Sequence, residues 1–287
     1  MDIRAVTGAI EGLAAVLVVL LLASPALAQD RQRDGNLHNV ELCNGVNRTP
    51  FEARINGCTA LIDARQDMTA AGLAIAYNNR GNAYAAERDY DRAIQDFDSS
   101  IKLDPNYTKP LNNRGVAFLK KGEYDLAIEA FDRAIGLNRG YGEAFANRAE
   151  AYLKKGEYFR AARDYDEAIR LEPSLEGVWN GRCWTRAVLG VLQGALEDCN
   201  KALQSDSRNA AAYDSRGLIY LKMGRIPAAI DDYDSALRLN PKLASALYGR
   251  GLARLKRGDE AHGTADIATA KTIRDGIADD FARYGVR

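Results

Sequence analysis

A small residue follows an arginine at Arg80-Gly81, and the pair returns at Arg114-Gly115, Arg148-Ala149, Arg182-Cys183, Arg216-Gly217 and Arg250-Gly251, each time 34 residues on. Two further small positions keep the same step. One runs Ala93, Ala127, Ala161, Ala195, Ala229, Gly263; the other runs Ser100, Ala134, Ala168, Ala202, Ala236, Ala270. Large residues hold the period between them, as Phe97, Phe131, Tyr165 and Tyr233 do. So constant a period requires one supersecondary unit, copied and stacked, each copy burying its apolar face against the next.

Within a copy the apolar residues fall at helical spacing. Tyr77, Gly81 and Tyr84 occupy i, i+4 and i+7, and Ile94, Phe97 and Ile101 repeat a one-face pattern. Between the two stripes lies a short turn, in which Gly122, Gly156, Gly190, Gly224 and Gly258 are placed to end a helix. Pro227 suits the start of a second helix, and Pro105, Pro173 and Pro241 close three copies because proline cannot continue the helix before it. Each unit reads as an antiparallel helix pair.

On these residues the chain resembles the tetratricopeptide repeat family, whose unit has the same length. Six repeats fit without insertion or deletion, at 74–107, 108–141, 142–175, 176–209, 210–243 and 244–277. The resemblance implies an all-α fold, a right-handed α-solenoid of six helix-turn-helix hairpins with capping helices at both ends. It also implies a protein-interaction scaffold whose concave face, lined by the first helices, takes the partner.

Family positions two, five, nine, twelve and thirteen lie on that face. Carried onto this chain they give Asn78, Asn112 and Asn180 at five, Asn82 and Trp184 at nine, and Lys120, Lys154 and Lys222 at thirteen. Amides can hold a peptide backbone, lysines can meet its acids, and the indole can anchor an apolar side chain. Plain solvated surface is the alternative for each. Members that clamp a C-terminal carboxylate use a lysine at five with an asparagine at nine. Only Asn82 matches, so that partner is not implied.

The recurrent arginine stands at position seven, where the family more often carries an apolar residue. In a hairpin turning near position fifteen it lies level with position twenty-three, occupied by Asp96, Asp164, Asp198, Asp232 and Asp266. An internal ladder of guanidinium–carboxylate pairs is expected. Repeat two has Ala130 there, so Arg114 must use Glu129 or a neighbouring repeat. A basic stripe for an anionic ligand is the alternative.

Four cysteines suggest two disulfides. Cys183 and Cys199 hold positions eight and twenty-four of repeat four, on facing helices, which leaves Cys43 to pair with Cys58; free thiols are the alternative. A metal site is not expected, with no CxxC and only His38 and His262.

Residues 1–28 read as a secretory signal, with an apolar run from Leu13 to Leu22 and a small-x-small site at Ala26-Leu27-Ala28. An uncleaved anchor is the alternative. Residues 29–73 read as an arm and a capping helix begun by Pro50, and 278–287 as a C-terminal cap, with Phe281 and Gly285 spaced as in a first helix. Export follows from the signal, and the resemblance of such exported repeats to bacterial envelope proteins implies the periplasm, with secretion as the alternative.

Lys plus Arg and Asp plus Glu are both 39, so no general attraction to nucleic acid or anionic membrane is expected. Phosphate-cradling, nucleophile-elbow and metalloprotease motifs are missing, and no catalytic residue or cofactor is expected. The reading is a scaffold for a protein or peptide partner in the cell envelope, with no membrane insertion after signal cleavage and the oligomeric state open. A chaperone-like or envelope assembly factor that holds clients is the second reading.

Overall fold

The structure, a computed structural model, describes residues 36–286. The expected secretory signal therefore lies outside the described residues. Among those residues the chain is helical throughout, with no strand. Helix α1 covers 36–44 and α2 Phe51–Asp63. Six hairpins follow: α3 (Ala70–Ala86) with α4 (Tyr90–Leu103), α5 (Thr108–Lys121) with α6 (Tyr124–Leu137), and α7 (Gly142–Lys154) with α8 (Tyr158–Leu171). Then come α9 (Val178–Val188) with α10 (Leu192–Ser205), α11 (Ala210–Lys222) with α12 (Ile226–Leu239), and α13 (Ala244–Lys256) with α14 (Glu260–Ile273); α15 is Ile277–Arg283.

The two helices of a hairpin make the densest packing, and each second helix then packs on the next first helix. Successive first helices also touch, α9 with α11 and α11 with α13 most closely, and second helices show nothing comparable. First helices therefore form the inner wall of the curve and second helices the outer wall.

Backbone chemistry sets the boundaries. Within hairpins Gly122, Gly156, Gly190, Gly224 and Gly258 all take a positive φ, between 71° and 88°. That left-handed residue lets the next amide reach back to the helix, as Glu123 N–H does to Phe118 O at 2.9 Å. Arg88 holds the same place in the first hairpin at φ 64°. Between hairpins a side-chain turn takes over: Asp104, Asn138, Asp206 and Asn240 accept from the amide two residues on, at 2.9–3.2 Å.

Two boundaries differ from the sequence expectation. Helix α3 starts at Ala70, where the Thr69 hydroxyl accepts from Gly72 N–H at 3.0 Å, ahead of the expected repeat start at 74. The arm before Pro50 is itself helical over 36–44, so α1 and α2 form a hairpin of their own rather than a lone capping helix. Asn79 Nδ2 donates to Asn44 Oδ1 at 3.0 Å, the bond that Asn113 makes to Asn78 and Asn147 to Asn112 further along. Helix α1 thus occupies the place of one more first helix.

Close approach explains the small residue at position eight. A Cβ on Gly81 would stand 2.7 Å from Phe97 Cε1, and one on Gly217 2.8 Å from Tyr233 Cε1. The aromatic at position twenty-four lies flat across the facing backbone, fully buried at Phe97, Phe131 and Tyr233. In repeat four the pair is Cys183 and Cys199, which stand at disulfide distance with Cα atoms 5.3 Å apart; Cys43 and Cys58 do the same at 4.6 Å.

Candidate partner-binding face

The ladder of arginines forms, and it is wider than the sequence suggested. Arg80 makes a forked pair with Asp96, Nε to Oδ2 and Nη2 to Oδ1, both at 2.8 Å. Arg148–Asp164, Arg182–Asp198, Arg216–Asp232 and Arg250–Asp266 repeat the fork. The third guanidinium nitrogen reaches the second helix of the preceding repeat. Arg114 Nη1 meets Asp98 at 2.6 Å, Arg182 meets Asp166 at 2.8 Å, Arg216 meets Asn200 at 2.8 Å and Arg250 meets Asp234 at 2.7 Å. Arg80 uses Thr59 of α2 in the same way, at 3.0 Å. Arg114, which has Ala130 in place of an acid at position twenty-three, takes its carboxylate from the preceding repeat, and Glu129 is not used.

All of these arginines but Arg250 also lie over aromatic rings of their own helix, as Arg80 does 5.5 Å from Tyr77 and Arg216 5.6 Å from Tyr213. Their position, between second helices, removes them from the inner wall. An open cleft of about 950 Å³ between α6 and α8 is lined by Arg148, Asp132, Asp164 and Asp166, the ladder groups themselves. The ladder charges in it are paired with one another, although Arg139 and Arg163 also line it. It lies on the outer side of the stack, away from the inner wall, and is not the candidate site.

The inner wall is. Of the eight residues expected there, Asn78 and Asn112 need correction. They are 3% and 0% exposed, and their carbonyl oxygens accept from Asn113 and Asn147 at 2.9 and 3.0 Å. They bind repeat to repeat and offer nothing to a partner. Lys222 is also committed: its ammonium donates to Ala187 O and Tyr284 O, both at 2.7 Å. Burial without a counter-charge pushes its pKa down.

Asn180 is half-buried and its Oδ1 has no hydrogen-bond partner, because the next repeat carries Ser215 where Asn113 and Asn147 stand earlier. Asn82 is half-buried, and Lys120 and Lys154 are exposed on the α5 and α7 ends of the wall. Trp184 lies inward, edge-on to Tyr158 at 5.9 Å and to Tyr284 at 5.2 Å.

The Tyr284 contact shows what sequence reasoning missed. Helix α15 was expected to cap the stack as a terminal half-repeat. Instead it turns back along the inner wall, where Phe281 packs 4.8 Å from Tyr248 and Tyr284 reaches Trp184 in repeat four. Ile277, Phe281 and Val286 are buried in one cluster with Leu218, Leu221 and Leu247. The stacking side of α14 explains this: Thr264, Ala268, Lys271 and Thr272 are exposed and offer no large apolar surface. The apolar stripe of α15 finds the groove instead. A chamber of about 690 Å³ remains beside it, bounded by Lys154, Tyr158, Trp184 and Asp214. Ser245 Oγ donates to Asp214 Oδ2 at 2.6 Å, and burial pushes that carboxyl up to about 6.

Models of the tetratricopeptide repeat match residues 74–107, 109–141 and 142–175, and a model of the TPR repeat matches residues 217–258. The chain is a tetratricopeptide repeat protein. The unmatched stretch includes repeat four, where Cys183 and Cys199 replace the glycine and aromatic. No curated protein matches the sequence.

Among solved structures it is similar to a tetratricopeptide repeat protein from Parabacteroides merdae, with TM-score 0.65 and 16% identity, over 88% of this chain and 99% of that one. It is similar to PilF of Pseudomonas aeruginosa, with TM-score 0.61 and 17% identity, over 73% and 96%. It is also similar to YrrB, described as a TPR protein with an unusual peptide-binding site, with TM-score 0.55 and 20% identity, over 67% and 97%. These likenesses show the fold. Tetratricopeptide repeats mediate protein–protein interaction, and the fold is a typical non-catalytic scaffold. Among the described residues no helix is long and apolar enough to cross a membrane, and no group of three His, Cys, Asp or Glu could hold a metal ion.

Proposed function

We propose that the chain is an exported interaction scaffold that holds a peptide or protein segment along its inner wall. The observation that carries this reading is the asymmetry of that wall. Over α9, α11 and α13 it already holds polypeptide, the chain's own α15. Over α3, α5 and α7 the same wall is left open, with Ile75 46% exposed, Asn82 and Val116 half-buried, and Lys120 and Lys154 exposed. An apolar floor edged by lysines suits an extended or helical segment with acidic flanks.

Two cysteine pairs at disulfide distance support an oxidising compartment, since cytosolic thiols are kept reduced. The signal-like residues 1–28 support the same location, the cell envelope.

The test is capture from envelope extract with the immobilised chain. Lys120→Glu combined with Lys154→Glu is expected to lose the captured partner at least tenfold. Arg163→Glu, on the outer cleft, is expected to keep it. Equal loss from both variants, or from neither, would remove the inner wall from the account.

A further inference from the structure

Helix α15 presents Ile277, Phe281 and Tyr284 at i, i+4 and i+7, one stripe of an amphipathic helix. The stripe lies on residues that the repeat numbering assigns to ligand contact: Trp184, Leu218 and Leu252 at position nine, Leu221 at twelve, Lys222 at thirteen and Tyr248 at five. A helix continuing the stack would touch repeat six. This one reaches back through repeats five and four. Its own residues therefore act as a bound segment would.

The attachment suits release. Helix α15 has seven residues, too few to persist as a helix away from the groove. It joins α14 through Arg274, Asp275 and Gly276, all exposed. Asp280 is buried and meets Arg283 on its own helix and Arg274 in the hinge, so its charge is matched within the segment rather than by the groove. The groove adds one polar grip, the Lys222 ammonium on the carbonyl of Tyr284. With α15 gone, Trp184, Leu218, Leu221, Tyr248 and Leu252 would form one apolar patch, and the Lys222 ammonium at its edge would keep Ala187 O but lose one of its two acceptors.

We infer that α15 is an internal ligand that closes the C-terminal half of the inner wall, and that this half opens to a partner's amphipathic helix with an apolar and aromatic stripe at i, i+4 and i+7. The inference rests on the inner wall being the binding face, but it concerns α9–α13, and its test leaves Lys120 and Lys154 untouched.

The probe is a fluorescein-labelled peptide with the chain's own sequence from Asp275 to Arg287, read by fluorescence anisotropy. The full chain carrying Phe281→Asp should bind it at least tenfold more tightly than the unaltered chain, whose own α15 competes. The peptide carrying the same Phe281→Asp change should bind neither. If Phe281→Asp abolishes cooperative unfolding, the full chain with Tyr284→Ala replaces it, with the same expectation, since that change adds no buried charge. Equal affinity for altered and unaltered chains, or no binding by a cooperatively folded variant, overturns the proposal. So does an unaltered chain that is a dimer and dissociates on adding peptide, because α15 would then close a second copy.

Discussion

At the residue scale, the hydroxyl of position twenty-four dictates a residue in the next repeat. Phe97 and Phe131 are each followed, at position six of the next repeat, by Asn113 and Asn147; Tyr165 and Tyr233 are followed by Gly181 and Gly249. A Cβ on Gly181 would stand 2.6 Å from Tyr165 Oη, and one on Gly249 2.7 Å from Tyr233 Cε1. The Tyr233 hydroxyl has no hydrogen-bond partner and is fully buried. Gly249→Ala should therefore cost about 1–3 kcal/mol through overpacking. Combined with Tyr233→Phe, which removes an unsatisfied buried group, the cost should shrink by about half or more. Urea unfolding of the four proteins in this cycle checks it, and additive costs would refute the coupling.

Asp214 gives a second residue-scale prediction. Its carboxyl titrates near 6 in the folded chain against an ordinary 3.8, so the native state holds the proton more tightly. The stability from that protonated form is complete below about 4 and is lost as pH rises through 6. Asp214→Asn should flatten the decline in melting temperature between pH 4 and pH 6.5, and an unchanged slope would exclude Asp214 as its source.

At the element scale, most of the hairpin plan was legible and the exceptions have physical causes. The five turn glycines stand out in sequence because a left-handed residue is needed there. Arg88 conceals the sixth such place, since a turn tolerates a non-glycine residue at a cost. Arg88→Gly should raise stability by about 1 kcal/mol, read as a higher urea midpoint with unchanged slope. The fork from each arginine to its own repeat was legible from opposed positions in a hairpin. The second grip, on Asp98, Asp132, Asp166, Asn200 and Asp234, was expected only for Arg114, as one of two choices, although those residues also recur every 34 positions. Periodicity says that a position matters but not which neighbour it meets; stacking geometry decides that. Helix α1 escaped notice because 36–44 lacks the repeat's small-residue signature.

At the scale of the whole molecule, the stack was legible and its inner wall was not. Position numbers put Asn78, Asn112 and Lys222 on the binding face, yet the structure commits the first two to repeat-to-repeat bonds and the third to α15. An asparagine free for a ligand and one bonded to the next repeat look alike in sequence. Nor does the spacing of Ile277, Phe281 and Tyr284 distinguish a helix added to the end from one folded back, because the same stripe serves both. What separates them is the weak apolar surface of α14, a property of another element.

Amide hydrogen exchange on the full chain, with and without a peptide of sequence Asp275–Arg287 that carries heavy isotopes and no fluorophore, tests the self-filled groove most directly. The account predicts that residues 277–286 are protected in the free chain. They should exchange like an unstructured segment once peptide is bound, while α9, α11 and α13 stay protected. A tail that exchanges freely without peptide, or that keeps its protection at saturating peptide, would contradict it.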